Sequence, residues 1–430
     1  MTKPTNGSLS KPRWLFVDAA PDFGGHEVML LRWLQELNQQ QRITPVLLAR
    51  LGTRLYQQAA AQSGQHLYVA ELPAIRAVTS WRRVRTSLDK LGDVLALMKA
   101  LLRVRPTLAV VAEGCLLSQA WVTVLLRLLG IKTVVYVPLV EPGVAMGFGR
   151  GLLRDRIMRI FYRHVPHAWI TLTTGQAQQL RAWSGITTPV FTLPNTVATH
   201  IENTSMAIAP PHRPLRVLVL GRLDAHQKGL NGLLDFLCEQ LRIAGSIAGH
   251  RAPDPDSLAL LDRMHITLVG DGPYGAEIKQ RLHDYSPLRQ LLSLRAWAPT
   301  VEVMREHDVL LLVSRYEGVP LVMLEAMALG LPIAASDLPG TRSLLPAEAL
   351  FPVGDYPRAL QRLFQVTHPT RMVELVQRNR QSFNLHASAA AFAGNVSNLT
   401  DELLQLSTGV PPATESHRLA TQLSGSSKDL

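Results

Sequence analysis

Glu317 and Glu325 are separated by seven residues in the stretch Ser314-Arg315-Tyr316-Glu317-Gly318-Val319-Pro320-Leu321-Val322-Met323-Leu324-Glu325-Ala326-Met327-Ala328-Leu329-Gly330. From Leu321 to Leu329 every residue except Glu325 is apolar, which predicts a helix buried on all sides. Pro320 suits its first turn, and Gly330 followed by Pro332 suits its end. A carboxylate in the middle of such a helix costs roughly several kcal/mol unless it is hydrogen-bonded. A ligand with hydroxyl donors would remove that cost; so would a core arginine or lysine. The apolar run 309–313 reads as a buried parallel strand, so the loop after it lies where open α/β sheets bind ligands. The N–H groups of residues 318–322, at the helix start, make an anion site beside Glu325. The expected ligand is part anion and part polyol, as in a nucleoside diphosphate sugar, with Gly318, Val319, Pro320 and Leu321 against it.

Those residues need a scaffold that brings strand ends together. Apolar runs at 14–17, 45–49, 66–70, 108–112, 133–137, 169–171 and 190–193 alternate with helical stretches such as 26–38, 81–104 and 116–129. This alternation predicts parallel sheets in an α/β fold. Residues 203–214 hold three prolines and no periodicity, which marks a linker. The strand pattern then restarts at 216–220, 265–269, 291–294, 309–313 and 333–335. Two doubly wound, Rossmann-like domains fit better than one large sheet. The expected organisation is a flexible 1–12, a first domain over 13–202, the linker, and a second domain over 215–385. A helix over 386–406 would pack back on the first domain, and the Ser/Thr/Pro-rich tail 407–430 would be disordered. Asp254-Pro255-Asp256 has the spacing of a divalent-metal motif but reads as a solvated loop, because no strand end positions its carboxylates.

Three further stretches carry chemistry. In Val217-Leu218-Val219-Leu220-Gly221-Arg222-Leu223-Asp224-Ala225-His226-Gln227-Lys228-Gly229 a strand runs into a turn, where Arg222 and Lys228 can reach a diphosphate, one by a bidentate fork and one as a point charge. Leu268-Val269-Gly270-Asp271-Gly272-Pro273 is a strand with a glycine turn. Phe23-Gly24-Gly25-His26-Glu27 follows the first strand, and its glycines allow close backbone approach.

Together with the Glu317–Glu325 stretch, these segments resemble the donor site of the retaining glycosyltransferases of family 4, which have the GT-B fold of two Rossmann-like domains facing a cleft. The resemblance spans about residues 13–405. It implies transfer of a sugar from a nucleotide-diphosphate sugar to a hydroxyl of a glycan acceptor with retention of configuration. It implies that Glu325 holds the donor ribose hydroxyls, and that Glu317 contacts the transferred sugar and stabilises positive charge at its anomeric carbon. It further implies that Arg222 and Lys228 stabilise the departing diphosphate, and that the backbone after Gly318 meets the phosphates. Gly270 and Gly272 would lie near the nucleotide, with Arg295 in the region that grips the base. The Gly24-Gly25-His26 loop would touch donor phosphates and acceptor. Leu193-Pro194-Asn195-Thr196-Val197 is similar to the family's Pro-Asn-Gly-Val element, with Thr196 in place of glycine, so Asn195 is a further candidate. Many relatives carry a histidine after the strand matching 133–137. Here the sequence is Val137-Pro138-Leu139-Val140-Glu141-Pro142, so either Glu141 partly substitutes or that contact is dispensable. Glu113 ends another strand and is an acceptor-side candidate. The chemistry demands no metal or other cofactor. The rival reading is a catalytically inert relative acting as a partner in a polysaccharide assembly complex.

The 430 residues carry 44 Lys and Arg against 33 Asp and Glu, a formal charge of +11. The excess sits in the first half: +13 over residues 1–200 and −2 over 201–430. Such asymmetry points to an anionic partner. One basic cluster comprises Arg76, Arg82, Arg83, Arg85, Lys90, Lys99, Arg103 and Arg105. A second, Arg150, Arg154, Arg156, Arg159 and Arg163, is interleaved with Leu152, Leu153, Ile157, Ile160 and Phe161. The second is similar to a basic amphipathic helix at a membrane interface; the plainer alternative is a solvated helix packing its apolar side on the sheet. Aromatics are only 6% and no nucleic-acid motif accompanies the basic runs, which excludes nucleic acid. No Gly-x-Gly-x-x-Gly follows the first strand, which argues against a dehydrogenase. Cys115 and Cys238 cannot build a disulfide framework, which favours a reducing compartment. The longest apolar run, 115–130, is interrupted by Gln119 and Arg127 and falls short of the ~20 residues of a spanning helix. The expected place is cytoplasmic and peripheral on the inner face of the cytoplasmic membrane, with a lipid-linked glycan as acceptor in cell-surface polysaccharide or lipopolysaccharide biosynthesis.

Overall fold

A computed structural model describes residues 11–20, 24–62, 68–72, 82–114, 119–147, 151–204, 206–207, 209–245 and 259–408. Arg76, Cys115, Arg150, the Asp254-Pro255-Asp256 loop and nearly all of the two terminal segments lie outside the described residues.

The first sheet has seven parallel strands in the order β3-β2-β1-β4-β5-β6-β7. They are β1 (Arg13–Asp18), β2 (Thr44–Arg50), β3 (Tyr68–Leu72), β4 (Leu108–Ala112), β5 (Thr133–Tyr136), β6 (Ala168–Thr171) and β7 (Val190–Thr192). The second has six parallel strands in the order β10-β9-β8-β11-β12-β13. They are β8 (Leu215–Leu220), β9 (Met264–Val269), β10 (Leu292–Arg295), β11 (Val309–Leu312), β12 (Ile333–Ser336) and β13 (Leu350–Phe351).

Helices cover both faces of the first sheet, so its central strands are apolar on both sides. On β1, Trp14 and Phe16 point into one core layer, while Leu15 and Val17 point into the other, as the two-residue period of a strand requires. Trp33, from the helix Gly25–Gln40, packs edge-on against Phe16 at 5.1 Å between ring centroids. The opposite layer holds the inner sides of four helices, Arg82–Val104, Ala120–Leu128, Gly151–His164 and Thr174–Ser184.

In each sheet the strand order reverses at one place, between β1 and β4 and between β8 and β11. Loops leaving neighbouring strands part there and leave a crevice at the carboxyl ends. The two crevices meet. Gly25, after β1, lies against Leu321, after β11. A Cβ on Gly318 would stand 2.3 Å from the carbonyl oxygen of Pro138, in the other domain. The domains are further tied by Asn195, whose Nδ2 donates to the Val319 carbonyl at 2.9 Å, and by Thr196, whose Oγ1 donates to the Ala387 carbonyl at 2.7 Å. The final helix Ala389–Thr408 returns to the first domain: Gln40 Nε2 donates to the Ala393 carbonyl at 3.0 Å, and Arg42 pairs with Asp401.

One contact within the second domain has a large expected effect. A Cβ on Gly340 would fall 1.5 Å from the Gly318 carbonyl oxygen, backbone against backbone, with no flexible side chain to yield. Gly340→Ala is expected to cost about 3 kcal/mol of stability, read by denaturant unfolding.

Candidate functional site

The β8–β11 neighbourhood brings the second domain's charged candidates together. The loop after β8 is folded by Asp224, whose Oδ1 accepts from the N–H groups of His226 at 3.0 Å and Gln227 at 2.7 Å. It is then stitched to the β11 loop, Arg315 N–H donating to the Gln227 carbonyl at 2.9 Å. This places the Lys228 ammonium in an ion pair with the Glu317 carboxylate. Glu317 also accepts from Ser314 Oγ at 3.0 Å, which fixes the carboxylate. Arg222 is exposed beside Asp224, at 3.4 Å. Gly270 and Gly272 form the turn after β9; Gly270 has φ 146°, and a Cβ there would lie 1.9 Å from the Gly221 carbonyl oxygen, so these two turns pass in contact.

The helix Leu321–Leu329 follows directly, capped by Pro320, with every residue from Val322 to Leu329 buried except Glu325, which is partly accessible. Met323 and Leu324 donate their N–H groups to the Pro320 carbonyl at 3.1 and 3.3 Å, while those of Leu321 and Val322 have no acceptor within the helix. Burial pushes the Glu325 carboxyl up to about 7, against the opposing pull of a hydrogen bond from Thr300 and the charge of Arg32. Arg32 comes from the first domain, on the helix Gly25–Gln40, and also donates to the Thr196 carbonyl. The positive charge felt by this buried carboxyl therefore comes from across the domain junction, with the Thr300 hydroxyl beside it.

On the first domain, Gly24 caps the helix Gly25–Gln40, and its N–H donates to Glu27 Oε2 at 2.7 Å. The next residue, His26, sets Nε2 3.0 Å from Glu27 Oε1 and 3.4 Å from Asp18 Oδ2, at the end of β1. Both carboxylates are buried, and the imidazole is 16% exposed. Burial opposes charge on the ring, but the two carboxylates outweigh it and raise its pKa to about 9. These three side chains are also a group with metal-ligand chemistry, all within 4.8 Å of one another. The two buried carboxylates give the ring its counter-charge. Glu113, at the end of β4, is buried in the same crevice, where Gly114 leaves room for the His26 ring.

His26 carries a pH-dependent prediction. Its folded value lies above the ordinary 6.5, so its contribution is complete below that pH and fades as pH rises through about 9. His26→Gln is expected to destabilise the protein by about 3 kcal/mol near pH 6 and by much less near pH 10. Urea unfolding at the two pH values measures the difference.

The other candidates stand elsewhere. Asn195 is buried at the domain junction, with its Nδ2 on the Val319 carbonyl. Arg295 pairs with Glu306 at an exposed position, while its carbonyl accepts from the Gly270 N–H at 3.1 Å. Glu141, the candidate substitute for the family's histidine, is not fully solvated. It is half-buried, accepts from Gln179 Nε2 at 3.4 Å, and is raised above the usual carboxylate range by burial. Phe161 is buried in the core and takes no part in any surface stripe. Sequence reasoning missed Asp18, Glu27 and Arg32 as partners of the site, and Gly340 as the residue that lets the β11 loop close against its neighbour.

Two α/β domains whose reversal points face each other define the GT-B architecture. The chain aligns over 91% of its length with 99% of the Anabaena HepE structure in complex with UDP and glucose, at a TM-score of 0.65 and 14% identity. Residues 214–365 match the family model described as glycosyl transferases group 1, so the second domain is a glycosyl transferases group 1 domain. The chain is 30% identical over 143 residues to an amylovoran biosynthesis glycosyltransferase of Erwinia amylovora, covering 31% of this chain and 30% of the relative. It is 31% identical over 104 residues to an Escherichia coli UDP-Gal:alpha-D-GlcNAc-diphosphoundecaprenol alpha-1,3-galactosyltransferase, covering 23% of this chain and 27% of that one. The matched stretches thus span less than a third of these two curated relatives.

Proposed function

We propose that this protein is a retaining hexosyltransferase that moves a sugar from a nucleotide-diphosphate sugar to a hydroxyl of a lipid-linked glycan, in the synthesis of a cell-surface polysaccharide or lipopolysaccharide. The observation that carries the reading is the Lys228–Glu317 pair beside the start of the helix that bears Glu325. It sets a cation for a diphosphate, a carboxylate for an anomeric centre and an acceptor for ribose hydroxyls around one strand end.

In this reading Glu325 accepts from the ribose, the N–H groups of Gly318, Val319, Leu321 and Val322 meet the phosphates, and Arg222 and Lys228 hold the leaving diphosphate. The bond from the anomeric carbon to the phosphate oxygen breaks. The acceptor oxygen bonds to the same face of that carbon, and its proton passes to the departing phosphate oxygen. Glu317 stabilises the positive charge in between. The acceptor approaches from the loop Gly24–His26, with the basic first half toward an anionic membrane on its cytoplasmic face. The alpha-1,3-galactosyltransferase relative supports a lipid-linked acceptor, since its name states a diphosphoundecaprenol substrate.

The test is incubation with a panel of nucleotide-diphosphate sugars, following release of the nucleoside diphosphate and reading the product's anomeric configuration by NMR. Turnover with the donor's configuration preserved is expected. Binding of every donor without turnover would instead favour the inert assembly partner.

A further inference from the structure

Three helices on the outer layer of the first sheet, Arg82–Val104, Ala120–Leu128 and Gly151–His164, sit side by side because the strand order from β1 through β4 and β5 to β6 lays their crossovers in sequence. Their inner sides are accounted for: Leu97 and Leu101, Val122 and Leu126, Met158 and Tyr162 all join one core. Their outer sides are apolar as well. Leu95 is 61% exposed, Leu102 74%, Leu128 79%, Leu152 80%, Ile157 54% and Ile160 60%. Most of the large apolar side chains exposed among the described residues lie on these helices or just beside them. A monomeric soluble protein rarely leaves so extended an apolar face bare.

The charges on this face have one sign. Lys99, Arg103, Arg127, Arg156, Arg159 and Arg163 are exposed. The acids among the described side chains of these helices are turned inward: Asp93 is bound to Arg50 at 2.9 Å, and Asp155 accepts from the Gly143 N–H at 2.7 Å. Among the described residues no carboxylate stands in ion-pair reach of Arg103, Arg156 or Arg159. In the second domain Arg242, Arg342 and Arg378 are exposed too, but each pairs with an acid. Beside the helix Gly151–His164 a shallow concavity is lined by Arg156, Arg159, Arg163 and Trp183, with the Arg159 guanidinium 5.5 Å from the Trp183 ring centroid. Leucines and isoleucines interleaved with unpaired arginines suit a bilayer interface, where the apolar tips enter the acyl boundary and the guanidinium groups meet lipid phosphates.

We propose that this three-helix face docks the protein on an anionic bilayer. The face runs to the mouth of the site. The helix Gly151–His164 begins four residues after Gly147, which lies against His226 of the second domain. A lipid-linked acceptor whose anchor stays in the bilayer would present its glycan at the domain junction. The proposal rests on the transferase reading for its purpose, while its test does not depend on turnover.

The experiment is flotation of the full chain with vesicles of phosphatidylcholine alone and with vesicles containing phosphatidylglycerol, at low and high salt. Binding to the anionic vesicles that weakens with salt is expected. The double variant Arg156→Gln/Arg159→Gln should bind them about 25-fold more weakly, at roughly fivefold per charge. Leu153→Ser/Ile157→Ser should also bind more weakly, with its thermal melt and nucleotide-sugar hydrolysis unchanged. Wild-type protein that fails to float at low salt would overturn the proposal, and so would variants that float as well as wild type. A wild-type dimer that the Leu153/Ile157 variant converts to monomer would make this face a self-contact and overturn it too. Intact flotation without any donor turnover would sink the transferase reading and leave the surface standing.

Discussion

Lys228→Ala is expected to lower kcat for sugar transfer by about 10²- to 10³-fold, the usual consequence of removing one preorganised group that meets developing charge. The ammonium is held in a fixed place by three features: the Asp224-bound turn that delivers it, the stitch from Arg315 to Gln227, and its pair with Glu317. Its charge matters most when the bond to the diphosphate breaks, so the loss should fall on kcat more than on KM. The substitution also strips Glu317 of its counter-charge, so Lys228→Ala and Glu317→Gln should be far from additive in a double-mutant cycle. Steady-state kinetics with the preferred donor reads both effects. An unchanged kcat would remove Lys228 from the site.

Glu325→Gln is expected to separate stability from binding. The Glu325 carboxyl titrates near 7 in the folded protein, above its ordinary 4.5, so the folded state retains a proton that the unfolded chain releases. Stability is therefore untouched by this group below about pH 4.5 and falls as pH rises through about 7. The glutamine variant escapes that loss, and at about pH 8 it should be more stable than wild type by about 2 kcal/mol, allowing for partial solvent screening of the carboxylate. Near pH 4 the two should unfold together. Donor affinity should move the other way and fall about 10- to 100-fold, since glutamine replaces a charged acceptor by a neutral one. Urea unfolding at the two pH values and titration with the donor measure the two halves. A stability difference between variant and wild type that is the same at both pH values would show that burial at Glu325 carries no cost.

The parts of this site that one strand and its following helix determine were legible in the sequence. Glu325 stands out because it interrupts an unbroken apolar helix, and Lys228 because it follows a strand and a glycine turn. The pairing of Lys228 with Glu317 then follows from β8 lying beside β11. What escaped depends on tertiary approach. Arg32 reads as an ordinary surface arginine of an amphipathic helix, and only the docking of the two domains sets it toward Glu325. Asp18 reads as the end of a strand, and its role appears when the next helix turns His26 back onto it. Gly340 has no positive φ and no motif; its lack of a side chain matters only because Gly318 passes against it. β13, two residues long, is too short to carry a pattern. On the helix Gly151–His164 both sides are apolar, so periodicity could not tell that Phe161 faces the core while Ile157 and Ile160 face outward.

The central claim is that a nucleotide-diphosphate sugar occupies the crevice between Lys228, Glu317 and Glu325. Calorimetric titration of wild type and Glu325→Ala with a panel of such donors tests it most directly. At least one donor should bind the wild type with a defined one-to-one stoichiometry, and the alanine variant should lose most of that affinity while keeping a cooperative melt. If no donor binds, or if the variant binds its donor as tightly as the wild type does, the site lies elsewhere.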